Sequence, residues 1–214
     1  MRALLDLVLP VHCGGCATAG VAWCPGCAAE LSRVPVRVRP RTDPGVPCWA
    51  LGPYRGPGRR AVLAAKEHGR RDLAAPLGLA LALALDRLRA PDRPLVLVPA
   101  PTRSAAARRR GGDPVARSAA QAARWLIDSR SVPLLRMRRG VRDSVGLTPR
   151  ERAHNLHDKI MTVTQLADAA AIAANAEVVV VDDVLTTGAT VTESVRVLSR
   201  IGVLPCAVLV TCAA

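Results

Sequence analysis

The chain has almost no aromatic side chains: Trp23, Trp49, Trp125 and Tyr54 are the whole set, and phenylalanine is missing from all 214 residues. A core must therefore be assembled from Ala, Val and Leu, in keeping with a composition that is 50% apolar. The same shortage argues against a nucleic-acid module that stacks successive bases on aromatic rings along a basic groove. Lysine is nearly missing as well, with Lys66 and Lys159 the only two among 30 cationic residues. No apolar run is long enough to span a bilayer. The longest, Leu73 to Leu85, contains Pro76 and Gly78 and reads as a buried helix. The opening MRALLDLVLP is broken by Asp6 and lacks a small-residue cleavage site. No secretory signal is read there, and a soluble, cytoplasmic protein without a membrane partner is expected. No repeat of solenoid length occurs.

What the chain has in excess is positive charge, +13 in all, and it is unevenly placed. Residues 33–71 hold ten cations against two acids, residues 103–152 hold thirteen against four, and the remainder from 153 holds three against six. Two basic blocks of this kind attract polyanions, either a diphosphate-bearing small molecule or nucleic acid. At this length the chain forms one compact domain, or a main domain with a small appendage.

Four of the seven cysteines lie in CGGCATAGVAWCPGC as two C-x-x-C pairs, Cys13 with Cys16 and Cys24 with Cys27. Each pair lets two thiolates converge on one ion, and Gly14, Gly15, Pro25 and Gly26 suit the tight turns required. Two pairs make a closed tetrahedral site, which predicts structural zinc with no open position for catalysis. The alternatives are two disulfides or a redox dithiol. Disulfides are disfavoured without a secretion signal, and a redox pair needs no second pair beside it. His12 is read as a neighbour, and Cys48, Cys206 and Cys212 as small buried hydrophobes. The Pro- and Arg-rich stretch after Leu31 is a linker or an edge. The predicted organisation is a four-cysteine zinc module with its linker over residues 1–46 and an α/β domain over residues 47–214.

From Cys48 onward strand and helix patterns alternate. CWALGPY, LVLVPA, SVPLL, KIMTV, EVVVVDD and PCAVLVTC read as strands. GRRAVLAAKEHG, RDLAAPLGLALALALDRLRA, PVARSAAQAARWLID and TVTESVRVLSRIG read as helices, the third opened by Asp113 and Pro114 and the last closed by Gly202. Strands apolar on both faces and separated by helices predict an open parallel sheet flanked by helices. Ligands of such sheets bind beyond the carboxyl ends of the strands.

VVVVDDVLTTGATV, residues 178–191, falls at one such end. There the amides of Leu185, Thr186, Thr187, Gly188, Ala189 and Thr190, with the threonine hydroxyls, can surround a phosphate at the N-terminus of the next helix. Gly188 permits close backbone approach. Asp182 and Asp183, one turn ahead, are spaced to accept from two vicinal hydroxyls of a sugar bearing that phosphate. A nucleotide P-loop would need a Lys and a Gly-rich turn, which this segment lacks.

This segment resembles the phosphoribosyl diphosphate motif of the type I phosphoribosyltransferases. The other landmarks resemble the ComF branch, competence-associated proteins with an N-terminal four-cysteine module. They are CGGC and CPGC, Tyr54-Arg55-Gly56, Lys66, LVLVPAPTR, Arg110-Gly111, and the spacing of Arg152 and Asn155. The resemblance implies a type I phosphoribosyltransferase-like fold and catalytic Asp182 and Asp183 that grip the ribose hydroxyls. It implies a 5-phosphate on Thr186 to Thr190. Ala100 to Arg103, including Thr102 and Arg103, would face a diphosphate with Mg²⁺ between, and Lys66 is a further diphosphate contact, weighed against a plain helix-end cation. Arg136 to Arg152 would be a lid. It further implies work in DNA uptake, with transfer of phosphoribose to a nucleophile, or alternatively a sensing module that engages single-stranded DNA or a helicase. The chain departs from the family at Arg110-Gly111-Gly112-Asp113, which loses an aromatic and replaces an amide by an acid. It also departs near Asp143 and Ser144, where a Gln is usual, and after Asn155, where an aromatic is missing. These departures touch acceptor recognition and the lid more than the ribose cradle.

Overall fold

The computed structural model describes residues 11–102, 112–138, 159–163 and 174–214. Arg103, Arg110, Gly111, the lid segment beyond Arg138, Arg152 and Asn155 lie outside the described residues. The protein is α/β, built on a six-stranded sheet in the order β1-β2-β8-β7-β3-β4. Its strands are β1 Val36–Val38, β2 Cys48–Pro53, β3 Leu95–Pro99, β4 Ser129–Ser131, β7 Glu177–Leu185 and β8 Ala207–Ala213. All neighbours are parallel except β1, which pairs antiparallel with β2 through Val36 opposite Ala50 and Val38 opposite Cys48. The sheet is therefore mixed where a parallel one is predicted. The Pro-rich stretch supplies the extra strand at the edge, and its short return to β2 carries no crossover helix, so an antiparallel pairing follows.

The helices are α1 Pro25–Leu31, α2 Gly56–Glu67, α3 Ala74–Leu88, α4 Pro114–Ala123 and α5 Ala189–Arg200. Alternation along β7 divides the core between two faces. Val179 and Val181 pack with Ala61, Ala65, Leu77, Leu81 and Val115 of α2, α3 and α4. Val178 and Val180 pack with Val191, Val195 and Leu198 of α5. The greasy segment from Leu73 to Leu85 forms most of α3, one of the buried helices, and no helix among the described residues is long and apolar enough to cross a membrane.

The helix ends follow their sequence signals. Asp113 caps α4, accepting from Val115 N at 2.9 Å and Ala116 N at 3.3 Å, with Pro114 in the first turn. Gly202, at φ 77°, closes α5: its N–H donates to Ser199 O and that of Val203 to Leu198 O, the paired bonds of a Schellman end. SVPLL is not one strand. Ser131 ends β4, while Leu135 begins β5 (Leu135–Met137), which pairs antiparallel with β6 (Ile160–Thr162) in a separate two-stranded sheet on the α5 side. Pro133 lies between them and has no N–H for a sheet ladder.

Candidate active site and candidate metal centre

The connections set where a ligand fits. From β3 the chain crosses by α4 to β4 on one side, and from β7 by α5 to β8 on the other, so the winding reverses between β3 and β7. A crevice opens at the carboxyl ends of strands at such a point. Pairing of β7 with β3 stops at Val181, where Ala100 N donates to Val181 O, while pairing with β8 runs on to Leu185. Asp182 and Asp183 therefore sit where β7 has lost one neighbour and kept the other.

Lys66, near the end of α2, reaches this crevice. Its Nζ lies 2.9 Å from Asp183 Oδ2 and 3.2 Å from Oδ1, so the lysine weighed as a diphosphate contact or a helix-end cation is here paired with one of the acids. Asp182 Oδ1 accepts from Asp183 N at 2.8 Å. Behind the acids is a cavity of about 20 Å³, room for one water-sized group, walled by Val62, Ala65, Leu77 and Val115. Burial against these apolar groups, reinforced by the charge of Asp183, pushes the Asp182 carboxyl up to about 7, although Lys66 opposes the shift. One carboxylate thus stands beside a cation, and its neighbour is poised to gain or lose a proton near neutrality.

The loop after β3 is tied down by Asp113, whose Oδ2 accepts from Thr102 N at 3.2 Å while Oδ1 caps α4. Asp113 reads from sequence as a helix cap and a departure from the family pattern. Its second role, holding Thr102 at the crevice, has no local signal.

Beyond the acids, Leu185 is buried in the α5-side core and its carbonyl accepts from Ala214 N, so it belongs to the strand end. Thr186 is exposed, Thr187 and Ala189 are buried, and Thr190 is half-buried, its carbonyl accepting from Ser194 Oγ at 2.8 Å. No bond among the described residues uses the N–H of Thr186, Thr187 or Gly188. Gly188, at φ 88°, caps α5 in the left-handed region. Its closest approach is to the chain itself: a Cβ there would stand 2.5 Å from Thr42 O and 2.6 Å from Pro40 Cβ. Thr42 N donates to Thr187 O at 2.8 Å, and Thr192 Oγ1 donates to Thr42 O at 3.1 Å. This contact spans about 150 residues of sequence, and nothing in the sequence signals it.

In the N-terminal knuckle the sulfurs of Cys13, Cys16, Cys24 and Cys27 all lie within 4.8 Å of one another. Cys13 Sγ is 3.7 Å from Cys27 Sγ, and Cys16 Sγ is 3.5 Å from Cys24 Sγ. Four sulfurs each about 2.3 Å from a central zinc are separated by about this much, so the residues fit the ion. The donor chemistry fits too. Burial works against ionising Cys13, but N–H groups from Cys16, Cys24 and Gly15 outweigh it and bring the thiol down to about 6. Cys27 is pushed the other way by burial and by its three sulfur neighbours, a crowding of potential anions that a cation relieves.

The glycines of the first knuckle are required by space, since neither has a left-handed φ. A Cβ on Gly15 would meet Cys27 Sγ at 2.5 Å, and one on Gly14 would meet Leu73 Cδ1 at 2.6 Å. One keeps the sulfurs together and the other seats the knuckle on the body. Arg60 Nε donates to Gly15 O, and Arg70 donates to His12 O at 3.0 Å and to Ala22 O at 3.4 Å while paired with Asp72 at 2.7 Å. Cys48 and Cys212 are buried, as the sequence predicts, but Cys206 is exposed because it precedes β8, outside the sheet.

Searches among protein-family models and among curated proteins return no match for this chain.

Proposed function

We propose that the crevice between β3 and β7 binds a phosphorylated pentose diphosphate, that of a phosphoribosyltransferase-like protein. Within that class, the order of the sequence landmarks favours the ComF type, acting in DNA uptake. The observation that carries the reading is the run from Asp182 to Gly188: two carboxylates at the winding reversal, followed by three N–H groups without a partner among the described residues, at the start of a 12-residue helix.

The chemistry follows from charge. Displacing diphosphate from an anomeric carbon passes through an oxocarbenium-like state, so the site must fix the sugar, neutralise the leaving group and exclude water. Asp182 and Asp183 accept from the ribose hydroxyls. The amides of Thr186 to Thr190 and the dipole of α5 take the 5-phosphate. Thr102, held by Asp113, and Lys66, once released from Asp183, face the diphosphate. Mg²⁺ shields phosphate charge when it accompanies such a donor. Among the described residues, Asp183 is engaged by Lys66, and both oxygens of Asp113 are engaged by backbone N–H groups, so no carboxylate set forms a dedicated magnesium site. In the four-cysteine centre, zinc would act structurally, with every coordination position filled by sulfur.

A second reading keeps the pocket for sensing, with single-stranded DNA or a helicase as the partner. The net charge of +13 favours it, and the lack of stacking aromatics makes any DNA contact phosphate-directed and steeply salt-dependent. Calorimetric titration with phosphoribosyl diphosphate and Mg²⁺ tests the shared claim, and the account expects saturable binding. Diphosphate release on adding purine, pyrimidine and amine nucleophiles separates the readings: release supports transfer, and binding without release supports sensing. No binding at all would overturn both.

A further inference from the structure

We infer that the linker joining β1 to β2, residues 39–47, is a wall of the phosphate site, and that Thr42 is a positioning residue for it. The inference rests on the phosphoribosyl reading above and adds residues that lie outside the VVVVDDVLTTGATV segment.

The described peptides are all trans, so the carbonyl of one residue and the N–H of the next point in opposite directions. Thr42 N donates to Thr187 O at 2.8 Å, which turns that carbonyl toward the linker. The N–H of Gly188, in the same peptide, must then point away from the linker. Pro40 and Thr42 fill the side of Gly188 where a Cβ would be, so an anion has only the opposite side to approach from, the side the N–H faces. The linker is itself fastened to α5, because Thr192 Oγ1, one turn into the helix, donates to Thr42 O at 3.1 Å.

This bond decides the sign of the local field. Glycine tolerates both orientations of the peptide before it, since positive and negative φ are equally open to it. Turned one way, the 187–188 peptide offers a donor and joins a concave nest of N–H groups. Turned the other, it presents carbonyl oxygen to a phosphate. A donor from Thr42 selects the first orientation before any ligand arrives, so the site is preorganised and the ligand need not turn the peptide itself. Arg39 and Arg41, both exposed, flank Pro40 in the linker and add positive charge beside the loop. Thr42 acts only through Thr187 and Gly188 and touches no ligand.

Because Thr42 works through its backbone, two substitutions separate its roles. Thr42→Pro deletes the N–H, whereas Thr42→Ala keeps both backbone groups and removes only the side chain. Ribose 5-phosphate probes the phosphate loop, and Mg²⁺-diphosphate probes the opposite end of the crevice. In full-length protein, Thr42→Pro should weaken ribose 5-phosphate by about ten- to a hundredfold, the range for one bond to a charged group, and leave Mg²⁺-diphosphate unchanged. Thr42→Ala should match wild type. Should Thr42→Pro fail to fold, Thr192→Val removes the fastening bond and should weaken ribose 5-phosphate selectively, with Thr192→Ser restoring it. Wild-type affinity in Thr42→Pro, or an equal loss of both ligands, overturns the positioning role alone. Wild-type protein that binds no ribose 5-phosphate overturns the phosphoribosyl reading, and this inference with it.

Discussion

The cysteine knuckle and the crevice at the end of β7 each gather groups that repel one another when ionised, sulfurs in one and carboxylates in the other. In the knuckle the four sulfurs come from 15 residues of chain and converge within 4.8 Å of one another, where an ion from solution can balance them. In the crevice the chain brings its own counter-ion, since Lys66 is paired with Asp183 across 117 residues of sequence. The first arrangement is complete only when loaded. The second holds a Lys66–Asp183 pair of its own, which, on the phosphoribosyl proposal, must be rearranged to accept a diol. The knuckle is therefore suited to holding the fold together, and the crevice, on that proposal, to exchanging ligands.

The largest expected effect lies at the knuckle. Cys27→Ser should abolish the binding of about one zinc per chain. Because Gly14, Arg60, Arg70 and Leu73 join the knuckle to the body, it should also lower the melting temperature of the whole protein by several degrees or more, read by metal analysis and thermal denaturation. A reduced, metal-free protein that melts like the loaded one would break the contrast.

At the crevice, Asp182→Asn with Asp183→Asn should eliminate binding of phosphoribosyl diphosphate in calorimetry and leave the fold intact, read as an unchanged far-UV circular dichroism spectrum. Unchanged affinity would remove the ribose assignment.

The next effect is one of pH. The Asp182 carboxyl is raised from its ordinary 3.8 to about 7, so the native state holds a proton that the unfolded chain has already released. Stability at this group is therefore highest below about 4 and falls as pH rises toward about 7, by a few kcal/mol in order of magnitude. Asp182→Asn should flatten that part of the stability profile, measured by urea denaturation at a series of pH values. Ligand affinity should move the opposite way and rise through about pH 7, because the ribose hydroxyls donate to the ionised form.

The smallest effect is that of Lys66→Met. The lysine is about a third exposed, so losing the pair should cost about 1 kcal/mol or less of stability. The sharper signature is at Asp182, whose titration, followed by NMR, should move further upward once the opposing cation is gone. No movement would mean that Lys66 does not set the crevice field.

What could be read in advance follows the distance over which each feature is encoded. The cysteine cluster, the cap formed by Asp113 and Pro114, the Gly202 helix end and the EVVVVDD strand are each written within a few adjacent residues, and each is found where the sequence places it. The strand continues to Leu185 because β8 runs alongside it, which alternation within VVVVDD could not reveal. Pro133 divides SVPLL between two sheets, and the edge strand Val36–Val38 is set by its partner β2 rather than by its own short, Arg-interrupted pattern. Lys66 with Asp183, Asp113 with Thr102, and Thr42 with Thr187 are tertiary pairings, and single residues of common types carry no mark of such partners.

The most direct measurement is a crystal structure of the protein soaked with phosphoribosyl diphosphate and Mg²⁺. The account predicts the ribose hydroxyls at hydrogen-bond distance from Asp182 and Asp183, the 5-phosphate on the N–H groups of Thr186 to Gly188, and Lys66 turned from Asp183 toward the diphosphate. A donor seated elsewhere, with the Lys66 pair intact and those amides unoccupied, would contradict it.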